Sequence, residues 1–133
     1  MTKFMGVEYA RGATATITND GPALGPHAIK QMFPDSDWIT VVADSVSPDI
    51  AALDRFGDAY EVHKKICHAT PHDKHIMIGG DHSVNFGHFT ALHNQIPNTE
   101  LCLVYIDAHL DIHTPESSQL QASGAPHGTN VRA

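Results

Sequence analysis

Apolar positions along this chain fall into short extended runs separated by stripes of helical spacing. Phe4 to Glu8 opens the chain with an apolar run of strand length. Tyr9 to Pro26 is rich in Gly, Thr, Asn and Asp and reads as a long loop, a kind of segment that in compact domains commonly carries function. Pro26 suits the first turn of a helix running through Ala28, Ile29, Met32 and Phe33, which Pro34 ends. Trp38 to Ala43, β-branched and aromatic, predicts a second strand. Ser47-Pro48-Asp49 has the form of an N-cap and first turn. After it Ile50, Leu53, Phe56, Tyr60, His63 and Cys67 recur at steps of three and four, one face of an amphipathic helix that Gly57 weakens without ending. His75-Ile76-Met77-Ile78 is a third strand, and Phe86, Phe89, Leu92 and Ile96 mark a helix stopped before Pro97. Leu101 to Ile106 is apolar on both faces, as in a central parallel strand covered by helices.

Strands alternating with helices in this order predict an α/β protein: three layers, α/β/α, around a mostly parallel sheet. From Asp111 onward the chain is loop-like, with no internal repeat and no low-complexity tract. A buried central strand with no closing element after it is unfinished, so more sheet is expected to follow and residues 1–133 read as the N-terminal part of a single domain.

Composition narrows the function. A net charge of −7 without any basic run excludes a nucleic-acid binder, because nothing meets the phosphates. Charged residues make up only 17%, so much of the surface is neutral polar or covered by something else. The N-terminus lacks a long apolar leader and no window approaches a membrane span, which makes a cytoplasmic protein without a membrane partner the expectation. Cys67 and Cys102 sit in apolar-patterned segments and read as small buried hydrophobes in a reducing compartment. Eleven histidines raise the prior for metal or proton chemistry without locating it.

The location comes from two clusters. Gly79-Gly80-Asp81-His82-Ser83 follows the third predicted strand, and Asp107-Ala108-His109-Leu110-Asp111 follows the fourth. In open parallel sheets ligands bind beyond the carboxyl ends of the strands, so both clusters fall on one rim. An extended segment would place residues 107, 109 and 111 on one face and turn Ala108 and Leu110 into the packing. Carboxylates and imidazole without thiolate favour manganese, and an excess of carboxylates suits two ions roughly 3.5–4 Å apart that share an activated water. Asp81 and His82 also suit helix capping, and that alternative stays open. His63, His68, His72, His75, His88 and His93 read as surface or satisfied core histidines, and His27 as structural.

These residues resemble the arginase/agmatinase family, the ureohydrolases. The resemblance rests on Gly-Gly-Asp-His-Ser at 79–83, Asp-Ala-His-x-Asp at 107–111 and Ser-Gly-x-x-His-Gly at 123–128. Gly21-Pro22 and Gly25-Pro26 leading into a helix add to it. It implies a hydrolase that attacks the guanidino group of arginine or a related compound through a hydroxide bridging two Mn2+ ions. It implies that His82 and Asp111 bind one ion, that His109 binds the other, and that Asp107 bridges them. It further implies proton transfer by Asp111 and His127, and substrate contacts from His113 and Ser123. Arginases carry an asparagine where His113 stands, so agmatine, guanidinobutyrate and formiminoglutamate are alternative substrates. A zinc deacetylase of related fold has less need of this full ligand set. The family's later Asp-x-Asp motif and its guanidinium-gripping glutamate do not occur in the 133 residues, so this portion alone is expected to bind metal poorly and to be inactive. That absence also keeps a non-catalytic pseudoenzyme, or a subunit bound to a complete partner, as the rival reading. A homo-oligomer, trimer or hexamer, is expected by resemblance.

Overall fold

The computed structural model describes residues 2–12, 21–45, 54–97 and 99–111. Among them lie three strands, β1 (Lys3–Glu8), β2 (Asp37–Val42) and β3 (His75–Ile78), and three helices, α1 (Gly21–Met32), α2 (Arg55–Ala69) and α3 (Val84–Gln95). The strands form one parallel sheet in the order β2-β1-β3, with Phe4 opposite Trp38 on one side and Ile76 on the other. Parallel neighbours cannot be joined by a tight hairpin, so a helix carries the chain back between successive strands.

β1 is central and buries both of its faces, each for a different helix. Met5 and Val7 enter a core with Tyr9, Val41, Val84 and the α2 residues Ala59, Val62 and Ile66. On the opposite face Phe4 stacks on Trp38 at 4.6 Å and on Phe33 at 5.7 Å between ring centroids. Next to that stack Gly6 lies under α1, where a Cβ would come within 3.0 Å of the Pro26 side chain. Helices on both faces of a parallel sheet make the predicted three-layer α/β arrangement.

Several details depart from expectation. α1 starts at Gly21, inside the segment read as loop; Pro22 occupies its first turn, and Pro26 lies within the helix, buried against β1. α2 is capped by Asp54, whose Oδ1 accepts the Gly57 amide at 2.8 Å, whereas Ser47-Pro48-Asp49, Ile50 and Leu53 lie outside the described residues. Its most buried row is Ala59, Val62 and Ile66, while Tyr60 is exposed. The longer stripe through His63 and Cys67 flanks that row and turns toward α3: the His63 ring tilts against Phe86 at 5.3 Å, and Cys67 Sγ donates to the Gly87 carbonyl at 3.1 Å. Small and β-branched side chains let α2 approach the sheet; the longer ones fill the angle between the helices. α3 repeats the pattern, burying Val84, Gly87 and Ala91 and leaving Phe89 and Ile96 exposed. Cys102 is exposed and Cys67 half-buried, both as free thiols, so neither is the buried hydrophobe expected.

The largest correction concerns Leu101 to Ile106. This segment joins no ladder, and Leu103, Val104 and Ile106 are exposed, Ile106 to 95%. β1 already has both neighbours, and β3 is only four residues long, a short edge on which to add a strand. Tyr105 instead turns its side chain toward the groups beyond β3, and a cleft of about 500 Å³ separates residues 103–107 from Phe86, Phe89 and Leu92 of α3.

β3 and α3 are also tied by a histidine pair. His75 Nδ1 lies 2.7 Å from the Asp73 carbonyl and therefore donates, which leaves its Nε2 to accept from His88 Nε2–H at 2.7 Å. Burial, with a smaller contribution from His75, pushes His88 down to about 4. Two outcomes follow. Ile66→Ala is expected to cost about 2–5 kcal/mol in urea unfolding, against about 0.5 kcal/mol or less for Tyr60→Ala, because only the first empties a packed site. For His88 the unfolded chain takes up a proton near its ordinary 6.5 that the folded chain refuses until about 4. This contribution to stability is complete above that window and lost as pH falls through it. His88→Gln is expected to shrink the fall in urea midpoint across the window.

Candidate metal centre

The candidate centre forms where the chain leaves the carboxyl ends of β1 and β3. After β1, residues 9–12 cross the tip of the sheet, and the Asp81 amide donates to the Tyr9 carbonyl at 2.8 Å. Gly80 must be glycine there, because any Cβ would overlap the Tyr9 backbone. Asp81 is buried and spends its carboxylate on this junction. Its Oδ2 accepts the Gly12 amide at 2.8 Å, and its Oδ1 accepts the Ser83 amide at 2.9 Å and the Ser83 hydroxyl at 2.6 Å. Behind the turn, His63 Nε2 donates to the Ser83 carbonyl at 2.8 Å, and burial holds His63 below its ordinary value. Asp81 thus binds the turn before α3 and the loop after β1, leaving His82 to face the centre.

His82 meets the segment 105–111. Its Nδ1 lies 2.8 Å from Asp111 Oδ2 and 3.3 Å from Asp107 Oδ2. Tyr105 completes the arrangement: its hydroxyl donates to Asp111 Oδ2 at 2.7 Å and sits 2.9 Å from His82 Nε2, with the two rings stacked at 5.4 Å. His82 thus has an oxygen partner at each ring nitrogen, the tyrosine hydroxyl at Nε2 and the two carboxylates at Nδ1. One imidazole nitrogen and two carboxylate oxygens lie within 4.8 Å of one another, a group that can hold a metal ion. A proton on Nδ1 or a metal ion satisfies the carboxylates there, and one nitrogen with two oxygens and no thiolate fits a divalent ion of the manganese type.

Local backbone explains the shape. Asp107 Oδ1 accepts the His109 amide at 2.9 Å, a side-chain turn that curls the chain instead of extending it. The same bond, reinforced by His82 and His109, keeps Asp107 below its ordinary carboxylate range. Asp111 has a φ of 50°, a left-handed conformation aspartate tolerates better than most residues, and its side chain is buried in the group. The expected alternation therefore fails: Leu110 is exposed instead of packed, and the His109 side chain is 83% exposed, with Nδ1 3.7 Å from Asp107 Oδ1. The structure brings His82, Asp107 and Asp111 together and leaves His109 at the margin. His113, Ser123 and His127 lie outside the described residues. Tyr105 escaped the sequence reading, although it shares the odd-numbered parity of 107, 109 and 111. Burial, then its bond to Asp111, raises its phenol above the ordinary value and keeps it a donor.

Comparison with known proteins gives this geometry a family. The description "Arginase family" matches residues 3–133. An arginase of Glaciozyma antarctica (strain PI12) is 33% identical over 102 residues, covering 73% of this chain and 28% of that protein. The non-hepatic arginase 1 of Xenopus laevis is 43% identical over 56 residues, 42% of this chain and 14% of that one. The hepatic arginase of Aquarana catesbeiana is also 43% identical over 56 residues, there 16% of its length. The match to this chain thus covers well under a third of each of these relatives. The chain belongs to the arginase family. No helix among the described residues is long and apolar enough to cross a membrane.

Tyr105→Phe tests the hydrogen-bond assignment. Losing the hydroxyl that donates to Asp111 and meets His82 Nε2 is expected to weaken Mn2+ binding about tenfold with the fold retained, measured by electron paramagnetic resonance of free Mn2+ and by circular dichroism.

Proposed function

We propose that the protein carrying this sequence is a metal-dependent ureohydrolase, with Mn2+ as the ion and a linear guanidino compound as substrate. The observation that carries this reading is the convergence of His82, Asp107 and Asp111, the residues that the arginase-family motifs present. A divalent ion bound there supplies a water of lowered pKa close to neutral pH. Guanidinium is resonance-stabilised and cationic, so attack by ordinary water is slow. Carboxylates beside the reacting carbon favour the cationic substrate electrostatically and hold it in place.

Asp111 is the group we assign to proton transfer. Its Oδ2 lies at the heart of the cluster, and Tyr105 O–H holds that oxygen in a fixed direction. It accepts the proton left after attack and returns it to the departing nitrogen. His127 is assigned the exchange of protons with the leaving amine and solvent, for which imidazole is suited near neutrality. His109 with the shared Asp107 is assigned to a second ion, and Ser123 and His113 to the substrate's far end. Residues 1–133 form, in this reading, the N-terminal part of one catalytic domain. A cytoplasmic homo-oligomer is the setting we propose for it.

The decisive experiment assays urea or formamide release from arginine, agmatine, guanidinobutyrate and formiminoglutamate by the Mn2+-loaded protein. One substrate is expected to stand out, and His109→Ala is expected to lose one of two ions and nearly all turnover. Unchanged turnover and full manganese content in that variant refute the assignment. No release from any of the four, with Mn2+ bound, favours the non-catalytic reading.

A further inference from the structure

Arg11 lies outside the metal cluster, yet the contacts around it lead directly to His82. Its guanidinium grips the Asp58 carboxylate as a fork, Nε to Oδ2 and Nη2 to Oδ1, both at 2.8 Å. Both side chains are largely buried. Nη2 also donates to the Asp44 carbonyl at 3.1 Å, just beyond β2. The Tyr9 hydroxyl donates to the same Asp58 Oδ2 at 2.9 Å, and the guanidinium lies 5.3 Å from the centre of the Tyr9 ring. One cation thus gathers the end of β1, the end of β2 and the first turn of α2, where Asp58 sits favourably for the helix dipole.

The neighbouring residue carries that constraint onward. The Gly12 amide donates to Asp81 Oδ2, and a Cβ on Gly12 would run into the Ser83 side chain. The loop is therefore held to Asp81 at two points, the Tyr9 carbonyl and the Gly12 amide, with Arg11 anchoring the stretch between them. Asp81 Oδ1 in turn holds both the amide and the hydroxyl of Ser83. His82 is the residue enclosed between these two anchors. A displacement of about 1 Å in that turn is enough to upset the three-ligand cluster, since metal sites tolerate little error in ligand position.

We propose that Arg11 is a positioning residue for the metal centre: by clamping residues 9–12 to Asp58 it sets, through Asp81, where the His82 imidazole lies. This role rests on the metal reading above. A merely stabilising ion pair is the competing explanation, and the two differ in what they move. A buried pair that only supports the fold lowers the unfolding midpoint and leaves the folded site unchanged, whereas a positioning pair alters the site in molecules that remain folded.

The test uses the full-length protein carrying this sequence with Mn2+ as the probe, following paramagnetic broadening of the His82 ring signals by NMR, with circular dichroism to score folding. Arg11→Ala is expected to weaken Mn2+ binding about tenfold, and Arg11→Lys, which keeps the charge and loses the fork, by a smaller factor. In an Asp81→Asn background Arg11→Ala is expected to add little, because the path is already cut. Folded Arg11→Ala with undiminished affinity and an unmoved His82 overturns the proposal, as does a loss of equal size in both backgrounds. Where Arg11→Ala does not fold, Arg11→Lys and Tyr9→Phe carry the same comparison. If Mn2+ leaves His82 unaffected in the unaltered full-length protein, the metal reading fails and this role fails with it; broadening there with an indifferent Arg11 defeats the clamp alone.

Discussion

The buried carboxylate of Asp81 is the tie on which the rest of the site depends. A parallel sheet brings strand ends to one rim, but it does not by itself join the loop after one strand to the turn after another. Asp81 makes that join with four hydrogen bonds: its amide to Tyr9, and its side chain to Gly12 and twice to Ser83. Each of those donors is inside the protein or at its edge, where an unpaired N–H costs about 1–3 kcal/mol. Removing the carboxylate therefore disturbs several groups at once, and the junction behaves as a unit. The glycines around it follow from the same crowding, since Gly80 and Gly12 pass where no side chain fits.

The second constraint is electrostatic. His82 Nδ1, Asp107 Oδ2 and Asp111 Oδ2 lie close together, and the Tyr105 hydroxyl joins His82 to Asp111. Acceptors so placed repel unless a proton or a metal ion lies between them. The chain bends to bring them there: the Asp107 side chain closes a turn on the His109 amide, and Asp111 enters the left-handed region so that its carboxylate returns to His82. An extended strand would have carried Asp111 about 13 Å beyond Asp107, out of reach of a common partner.

Much of the framework was legible before any coordinates. Short apolar runs located β1 and β3, and a β-branched and aromatic run located β2, to within a residue or so, because a strand covered by helices buries such side chains. The clusters at 79–83 and 107–111 were legible as chemistry because a polar run behind an apolar one has no packing role. What escaped were choices among faces. Helical spacing in α2 fits two adjacent rows, and the row of larger residues looked like the core; the smaller row of Ala59, Val62 and Ile66 won because close approach to a sheet favours small side chains. Arg11 and Tyr9 were unreadable for a different reason: their partner Asp58 is forty-seven and forty-nine residues away, and no local pattern announces such a pair.

Leu101 to Ile106 shows where hydrophobic pattern stops being sufficient. Its composition is that of an interior strand, yet a strand exists only if a neighbour accepts its amides and carbonyls. β1 has none to spare, and β3 presents one short edge. Tyr105 and the residues after it make their strongest contacts with His82 instead, so the segment is placed by its polar end and not by its apolar body. The result is an apolar stretch held over a cleft against Phe86, Phe89 and Leu92 of α3. Among the described residues this segment therefore presents Tyr105 to the cluster while Leu103, Val104 and Ile106 stay uncovered, a face on which the remainder of an α/β sheet can pack.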